Sequence, residues 1–373
     1  MSVRTTRSQT TGIVLAGAHP WTNSTFDQLL PRTLFPVAHR PLISYALSWL
    51  RGGGIEEVSV CANRETQALQ PRLQAHVPQG MRLSYHEDPM PRGAAGAIRD
   101  AAAASDADIF VVADGTAIPN VELQDLLLAH HASRAAVTVV VYSEAGRNGN
   151  PCLQVPSGVY VFNRQALDVV PTRGFYDIKE HMIPELHRSG ERVSAYRAGS
   201  ASPRVLDASS YLAVNEWMVD HLVTTGAQPE GYLRAGDCLF HRDAVIASDT
   251  VFVGPVLVGS GARIMSGAVI VGPTSIGCDA TVGRGVLVSR SAIWRRSVLG
   301  EQAVADRCIL ADDTVVDPHT HAFRAVRVGN VRGKPEMIRD AIPETRETGS
   351  LDLFRRMSRM LTDGTWLRSP SAQ

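Results

Sequence analysis

Lysine is almost missing from this chain: of 37 basic residues only Lys179 and Lys334 are lysines, the rest being arginine. A catalytic lysine has two positions to choose from. Cysteine is sparse as well. Cys61, Cys152, Cys238, Cys278 and Cys308 stand far apart without paired spacing, which excludes a disulfide framework and a zinc motif and leaves free thiols as the expectation. Neither sign of charge is in excess, since 37 acidic residues balance the 37 basic ones, so no electrostatic footprint for nucleic acid or an anionic membrane surface is present. Long apolar runs are lacking too. None reaches the roughly 18 residues of a membrane span, and MSVRTTRSQTTGIVLAG has no apolar core for a signal peptide. No membrane span and a cytoplasmic location are therefore expected.

What is present is ordinary globular material, with 44% hydrophobic and 20% charged residues, in a chain of 373 that is long for a single core and predicts two domains. The first texture runs to about residue 225 by the usual tolerance on boundaries. TGIVLAG and EEVSVCA read as buried strands, and PLISYALSWLRGGG between them as a helix with a glycine stop. The segments RLSYH, GAAGAIRDAAAA, ADIFVVAD, VELQDLLLAHHAS and AVTVVVYS continue the alternation. Apolar strands joined by helices predict an α/β domain with a mostly parallel sheet covered on both faces, in which ligands bind beyond the carboxyl ends of the strands.

The second texture has a period of six. Apolar residues recur at Ile246, Phe252, Val258, Ile264, Ile270, Ile276, Val282 and Val288, and four positions after each comes Thr250, Val256, Ala262, Ala268, Thr274, Ala280, Val286 or Ala292. This is the signature of a hexapeptide solenoid, in which each hexad forms one face of a triangular coil and its apolar and small residues point inward. Glycine often follows the apolar position, as at Gly259, Gly277 and Gly283, and reads as a corner residue. The phase breaks near Trp294 and resumes at Leu299, Ala305 and Ala311, which reads as a loop. The predicted organisation is a flexible terminus over 1–10, an α/β domain over 11–225, the β-helix over 226–325 and an extension over 326–373. Within that extension Leu351, Phe354, Met357 and Leu361 form the apolar stripe of a short basic helix, expected to dock on its own protein.

The two textures in this order resemble the sugar-1-phosphate nucleotidyltransferases that carry a carboxyl-terminal left-handed parallel β-helix, such as mannose-1-phosphate guanylyltransferases and glucose-1-phosphate adenylyltransferases. The motifs carrying the resemblance are PRTLFPVAHRPLISYAL, PRGAAGAIRDA, FVVADG, SGVYVFN, IKEHMIPEL and VLDASSYLAVN. It implies a Rossmann-like nucleotidyltransferase domain that joins a nucleoside triphosphate to a sugar 1-phosphate and releases pyrophosphate. Positive groups and Mg2+ would spread the developing charge. The family's opening loop reads approximately L-A-G-G-x-G-T-R-L, with P-K-x-L-x-P-V at fixed distance. Leu15, Ala16 and Gly17 match it as nucleotide-binding positions, while Ala18, Pro20, Trp21 and Thr22 depart from it. Proline cannot donate an N–H or take positive φ, and Thr22 stands where the phosphate-binding arginine belongs. Arg32 replaces the lysine of P-K, keeping its charge as the candidate catalytic cation but not its geometry.

Other carried-over positions are Gly93 and Ala94 beside the base, Gly158 beside the sugar, and Asp114 and Asp207 as metal ligands, with Asp207 equally suited to capping a helix. The family's Glu-Lys-Pro lysine has no counterpart, and Lys179 reads as a solvated helix residue. Two functions stay open: an active enzyme with a divergent loop, or a silent relative that binds a nucleotide sugar or an active partner, as in subunits of translation initiation factor 2B. Acyl transfer is disfavoured because the hexads hold no histidine. The β-helix is expected to mediate assembly with copies of itself or with a related subunit.

Overall fold

The computed structural model describes residues 9–17, 26, 29–63, 69–88, 91–144 and 153–329. They fall into two compact units. The first contains the opening strand, Leu30–Pro36 and Arg40–Val205; the second contains Val37–His39 and the described chain from Leu206 onward.

The first unit is built on one sheet. Its strands are β1 (Thr10–Leu15), β2 (Glu57–Asn63), β3 (Arg82–Asp88), β4 (Ile109–Asp114), β5 (Val137–Glu144), β6 (Leu153–Asn163) and β7 (Val193–Arg197), in the order β3-β2-β1-β4-β6-β5-β7. All neighbouring pairs are parallel except those of β6, which runs antiparallel to both β4 and β5. Successive residues of one strand point to opposite faces, and both faces are apolar here. Val14, Val60, Val111 and Val161 pack under helices α1 (Ile43–Gly52) and α3 (Leu123–Ser133), through Ala46, Leu47, Leu50 and Leu126. On the other face Ile13, Phe110, Val112 and Phe162 meet Ala95, Ile98 and Ala102 of α2 (Gly93–Ala103). Burial on two faces is why these strands read as continuous apolar runs.

The second unit opens with helix α4 (Ala208–Thr224), so the structure groups this helix with the stacked strands. The strands form three ladders, parallel throughout except where Tyr232–Ala235 pairs antiparallel with Cys238–His241, consistent with the left-handed β-helix expected. Each hexad's apolar and small positions meet in one core: Val258, Ile264, Ile270, Ile276, Val282 and Val288 alternate with Ala262, Ala268, Ala280 and Val286. The expected loop near Trp294 is absent. Instead one corner loses a residue: Ile270 pairs with Val288, eighteen positions on, while Ile276 pairs with Ile293, seventeen on. Gly254-Pro255 and Gly272-Pro273 fill this corner in the first coils, and Arg290, Arg307 and Arg324 take it over with positive φ of 44°, 52° and 45°. Trp294 is buried, and its indole N–H donates to the Tyr211 hydroxyl at 2.7 Å.

The segment Val37–His39 is tied to this unit by polar contacts. The Ala38 N–H donates to Asn215 Oδ1 at 3.0 Å, and His39 Nδ1 lies 2.7 Å from the Tyr232 hydroxyl. Burial pushes the His39 imidazole down to about 4, His241 adds to the shift, and the Ile276 backbone opposes it. A histidine lowered on folding binds its proton better when unfolded, so its contribution is present above about pH 6.5 and is lost as pH falls toward 4. The second unit is expected to lose up to about 3 kcal/mol over that window. His39→Gln should flatten this part of a urea-denaturation profile, and an unchanged slope would show that another group titrates there.

Among the described cysteines Cys61, Cys238 and Cys308 are buried free thiols and Cys278 is half-buried. Burial raises the thiols of Cys238 and Cys308 to about 11, which makes them inert. The expected helix over residues 351–361 lies outside the described residues.

Candidate functional site

The carboxyl ends of β1 and β4 lie side by side, Leu15 pairing with Asp114. Two further hydrogen bonds extend this alignment past the strand ends: Gly115 N–H donates to Leu15 O at 2.9 Å and Ala16 N–H to Cys61 O at 2.7 Å. Gly17 is exposed, with open space where a side chain would project. The loop positions from Ala18 to Thr22 lie outside the described residues. Arg32 begins a single 3-10 turn, Arg32–Leu34, whose next residue Thr33 packs its methyl 3.1 Å from the position a Gly115 Cβ would take. The turn carrying Arg32 therefore borders the Asp114–Gly115 strand end.

Asp114 has both carboxylate oxygens engaged. Oδ1 accepts from the Thr116 N–H at 2.9 Å and from its hydroxyl at 2.7 Å. Oδ2 accepts from the Arg204 guanidinium in a close ion pair. The backbone fixes Arg204 in this place: it bridges Ala117, Val205 N–H donates to Thr116 O at 2.9 Å, and Ile118 N–H donates to Pro203 O at 2.8 Å. Gly158, with φ of 89°, brings β6 so near that an added Cβ would sit 3.0 Å from the Asp114 Cβ. Two residues on, Tyr160 is buried, and burial raises its hydroxyl to about 12; the charge of Arg204 opposes the shift, and Asp114 and Asp177 reinforce it.

Magnesium takes oxygen ligands with free lone pairs, commonly one or two carboxylates together with substrate phosphates. Asp114 already accepts three hydrogen bonds, one of them from a guanidinium whose positive charge repels a cation, and keeps little lone-pair capacity for a metal. No group of three or more His, Cys, Asp or Glu side chains suited to a metal occurs among the described residues. Asp207 belongs to the second unit. Its Oδ1 accepts from Ser210 N–H at 2.7 Å and the Ser210 hydroxyl meets its backbone N–H at 2.8 Å, a capping box that starts α4. As arranged, this donor set does not fit a resident divalent ion.

At Gly93 and Ala94 the site is also internally satisfied. Gly93 has φ of 72°, and the N–H groups of Ala95 and Gly96 donate to Tyr176 O at 3.1 and 3.3 Å. A helix start that binds an anion offers such groups to the ligand, whereas here they hold the neighbouring segment. Arg92 is a structural residue, its guanidinium spanning Asp100 and the carbonyls of Pro171 and Gly174. Lys179 is exposed on a helical turn. Arg204 is the residue that reading the sequence missed. The only signal was its place three positions before Asp207, and nothing local announced a partner at Asp114.

Residues 26–150 match the model of the Nucleotidyl transferase family. Mannose-1-phosphate guanylyltransferase from Mycobacterium tuberculosis is 23% identical over 281 residues, covering 69% of this chain and 77% of the relative. UTP–glucose-1-phosphate uridylyltransferase from Synechocystis is 21% identical over 310 residues, covering 74% and 80%. Among solved structures, HddC from Yersinia pseudotuberculosis complexed with GMP-PN has a TM-score of 0.48 at 12% identity, covering 56% of this chain and 99% of that one. A glucose-1-phosphate thymidylyltransferase from Bacillus anthracis in complex with a sucrose has a TM-score of 0.49 at 16% identity, covering 55% and 94%. Residues 26–150 thus match the Nucleotidyl transferase family model, and sugar-1-phosphate nucleotidyltransferases are among the proteins the chain is similar to.

Proposed function

We propose that this chain recognises a nucleotide sugar without forming one at the rate of an ordinary pyrophosphorylase. The observation that carries the reading is Asp114, whose carboxylate is filled by Arg204 and Thr116 instead of being open to a metal. Joining a triphosphate to a sugar 1-phosphate builds charge at the α-phosphorus, and that charge needs cations positioned before the reaction. The sequence has Thr22 in place of the loop arginine and Pro20 in place of a loop glycine. Removing a single charge-stabilising donor typically costs about 10²–10³ in rate, so several losses together leave little turnover.

Binding is less affected by these losses. The strand ends at Leu15 and Asp114, the open backbone at Gly17, the Arg32 turn and the Gly158 strand lie together at the carboxyl end of the sheet, the end at which α/β sheets take nucleotides. Arg32 is proposed to meet phosphate there, and Leu15, Ala16 and Gly17 the nucleotide. The guanylyl- and uridylyltransferase relatives make GDP-mannose and UDP-glucose the first ligands to try.

The test incubates the protein with Mg2+, the four nucleoside triphosphates and pooled hexose 1-phosphates, and analyses the products by mass spectrometry beside Asp114→Asn. No nucleotide sugar above the variant's background is expected, while GDP-mannose or UDP-glucose raises the melting temperature. Product that forms with the wild type and disappears with Asp114→Asn would establish an active enzyme and overturn the proposal.

A further inference from the structure

An arginine paired with the carboxylate at a strand end is commonplace on a protein surface, but three features separate Arg204 from a surface ion pair. Its backbone is locked on both sides by the Thr116–Val205 and Ile118–Pro203 hydrogen bonds, so the side chain starts from a fixed point. Its partner is equally fixed, because Thr116 clamps Asp114 Oδ1 with two hydrogen bonds and turns Oδ2 toward the guanidinium. And the pair stays reachable: the side chains of Arg204 and Asp114 are 33% and 20% exposed. The Arg204 Nε is enclosed and has no hydrogen-bond partner among the described residues. A guanidinium carries five donors in a planar fork, and the bond to Asp114 leaves most of them for a second acceptor.

The place of this fork matters as much as its chemistry. Asp114 is the cross-strand neighbour of Leu15, which leads directly into the exposed Gly17. A ligand diphosphate lying across these strand ends has the guanidinium on its β4 side. A divalent ion bound to Asp114 at the same time would meet like-charge repulsion from Arg204 and compete for Oδ2.

We propose that Arg204 is the resident cation of this site: it bridges Asp114 to the diphosphate of a bound nucleotide sugar, so that binding requires no divalent metal. The proposal rests on the reading of the chain as a nucleotide-sugar binder. An arginine fork binds phosphate oxygens in pairs, so it can serve recognition as a metal does. It adds no exchangeable coordination position of the kind that metal-assisted transfer uses.

Titration calorimetry with GDP-mannose and UDP-glucose, in excess EDTA and then in Mg2+, tests it. The wild type is expected to bind with the same Kd in both within about twofold, a margin well below the tenfold that a 1.4 kcal/mol difference represents. Arg204→Gln is expected to weaken binding in EDTA by about 10- to 100-fold, as for loss of a charged hydrogen bond. Mg2+ should restore part of it by occupying the freed Asp114, and Arg204→Lys should recover part of the affinity without metal. Wild-type binding that disappears in EDTA, or an Arg204→Gln variant that binds as tightly as the wild type, would overturn the inference.

Should neither nucleotide sugar bind the wild type, the functional reading fails, and a second titration still decides the role of Arg204. Mn2+ is added without nucleotide and followed by electron paramagnetic resonance. Arg204→Gln is expected to hold Mn2+ about tenfold more tightly than the wild type, a change of about 1.4 kcal/mol, and adding Asp114→Asn should abolish it. Equal Mn2+ binding by the wild type and Arg204→Gln would show that Arg204 does not occupy the cation position.

Discussion

Gly277→Val is expected to destabilise the stacked strands by at least about 4 kcal/mol, in the range reserved for changes the backbone cannot absorb. A Cβ at this position would lie 2.7 Å from the Trp294 carbonyl carbon and 2.8 Å from Ile293 O. Both are main-chain atoms of the next coil, and that coil cannot retreat because the Gly277 N–H donates to Ile293 O at 2.8 Å. Gly259 and Gly283 meet the same obstacle, with backbone atoms at 2.8 and 2.7 Å. The comparison that isolates the cause is Gly285→Ala. Gly285 has φ of 61°, but the nearest atom to its added Cβ is Gln302 Cγ at 3.4 Å. There only the left-handed backbone is penalised, by about 1–2 kcal/mol. Hydrogen exchange over Val269–Leu299 reads both variants locally, so unfolding of the first unit does not enter. Protection in Gly277→Val within about 1 kcal/mol of the wild type would refute the close-approach argument.

These glycines show where the sequence was legible and where its physics was misread. The six-residue period located the β-helix because each hexad repeats one geometric event, an inward apolar residue and an inward small one. Val258, Ala262, Ile264 and Ala268 all lie in the core as the spacing required. The glycines after the apolar positions looked like corner residues needing positive φ. At Gly259, Gly277 and Gly283 the requirement is for the absence of a side chain between coils, whereas positive φ falls at Gly254, Gly261, Gly267 and Gly285. The phase break looked like a loop because deleting one corner residue and inserting a loop both shift a hexad pattern. The register of Ile276 on Ile293 shows the deletion.

In the candidate site, Asp114 was legible from its place at the end of an apolar strand, since ligands gather at the carboxyl ends of such sheets. Its engagement was not. A partner 90 positions away leaves no periodicity or motif, so the Arg204 pairing had to be seen in the fold. Asp207 shows the reverse. Its position before a helical stretch announced a cap, and the capping box is there.

Gly93→Ala is expected to cost about 3–5 kcal/mol even with no ligand present, combining backbone strain with a steric conflict. The two penalties are independent. At φ of 72° an alanine is strained whatever surrounds it, and its Cβ would stand 2.6 Å from Tyr176 O. That carbonyl cannot move freely, because it accepts from the N–H groups of Ala95 and Gly96 while Tyr176 N–H donates to Arg92 O at 2.7 Å. The same position was expected to be a glycine for the sake of a nucleotide. If ligand approach alone required it, the variant would fold as the wild type does and lose only nucleotide-sugar affinity. If the turn itself requires it, urea denaturation of the unliganded protein shows the loss, and exchange protection falls first in α2 and at Tyr176. An unliganded Gly93→Ala as stable as the wild type would therefore return this turn to the ligand. The loss expected here makes it part of the scaffold that joins the start of α2 to the Tyr176 segment.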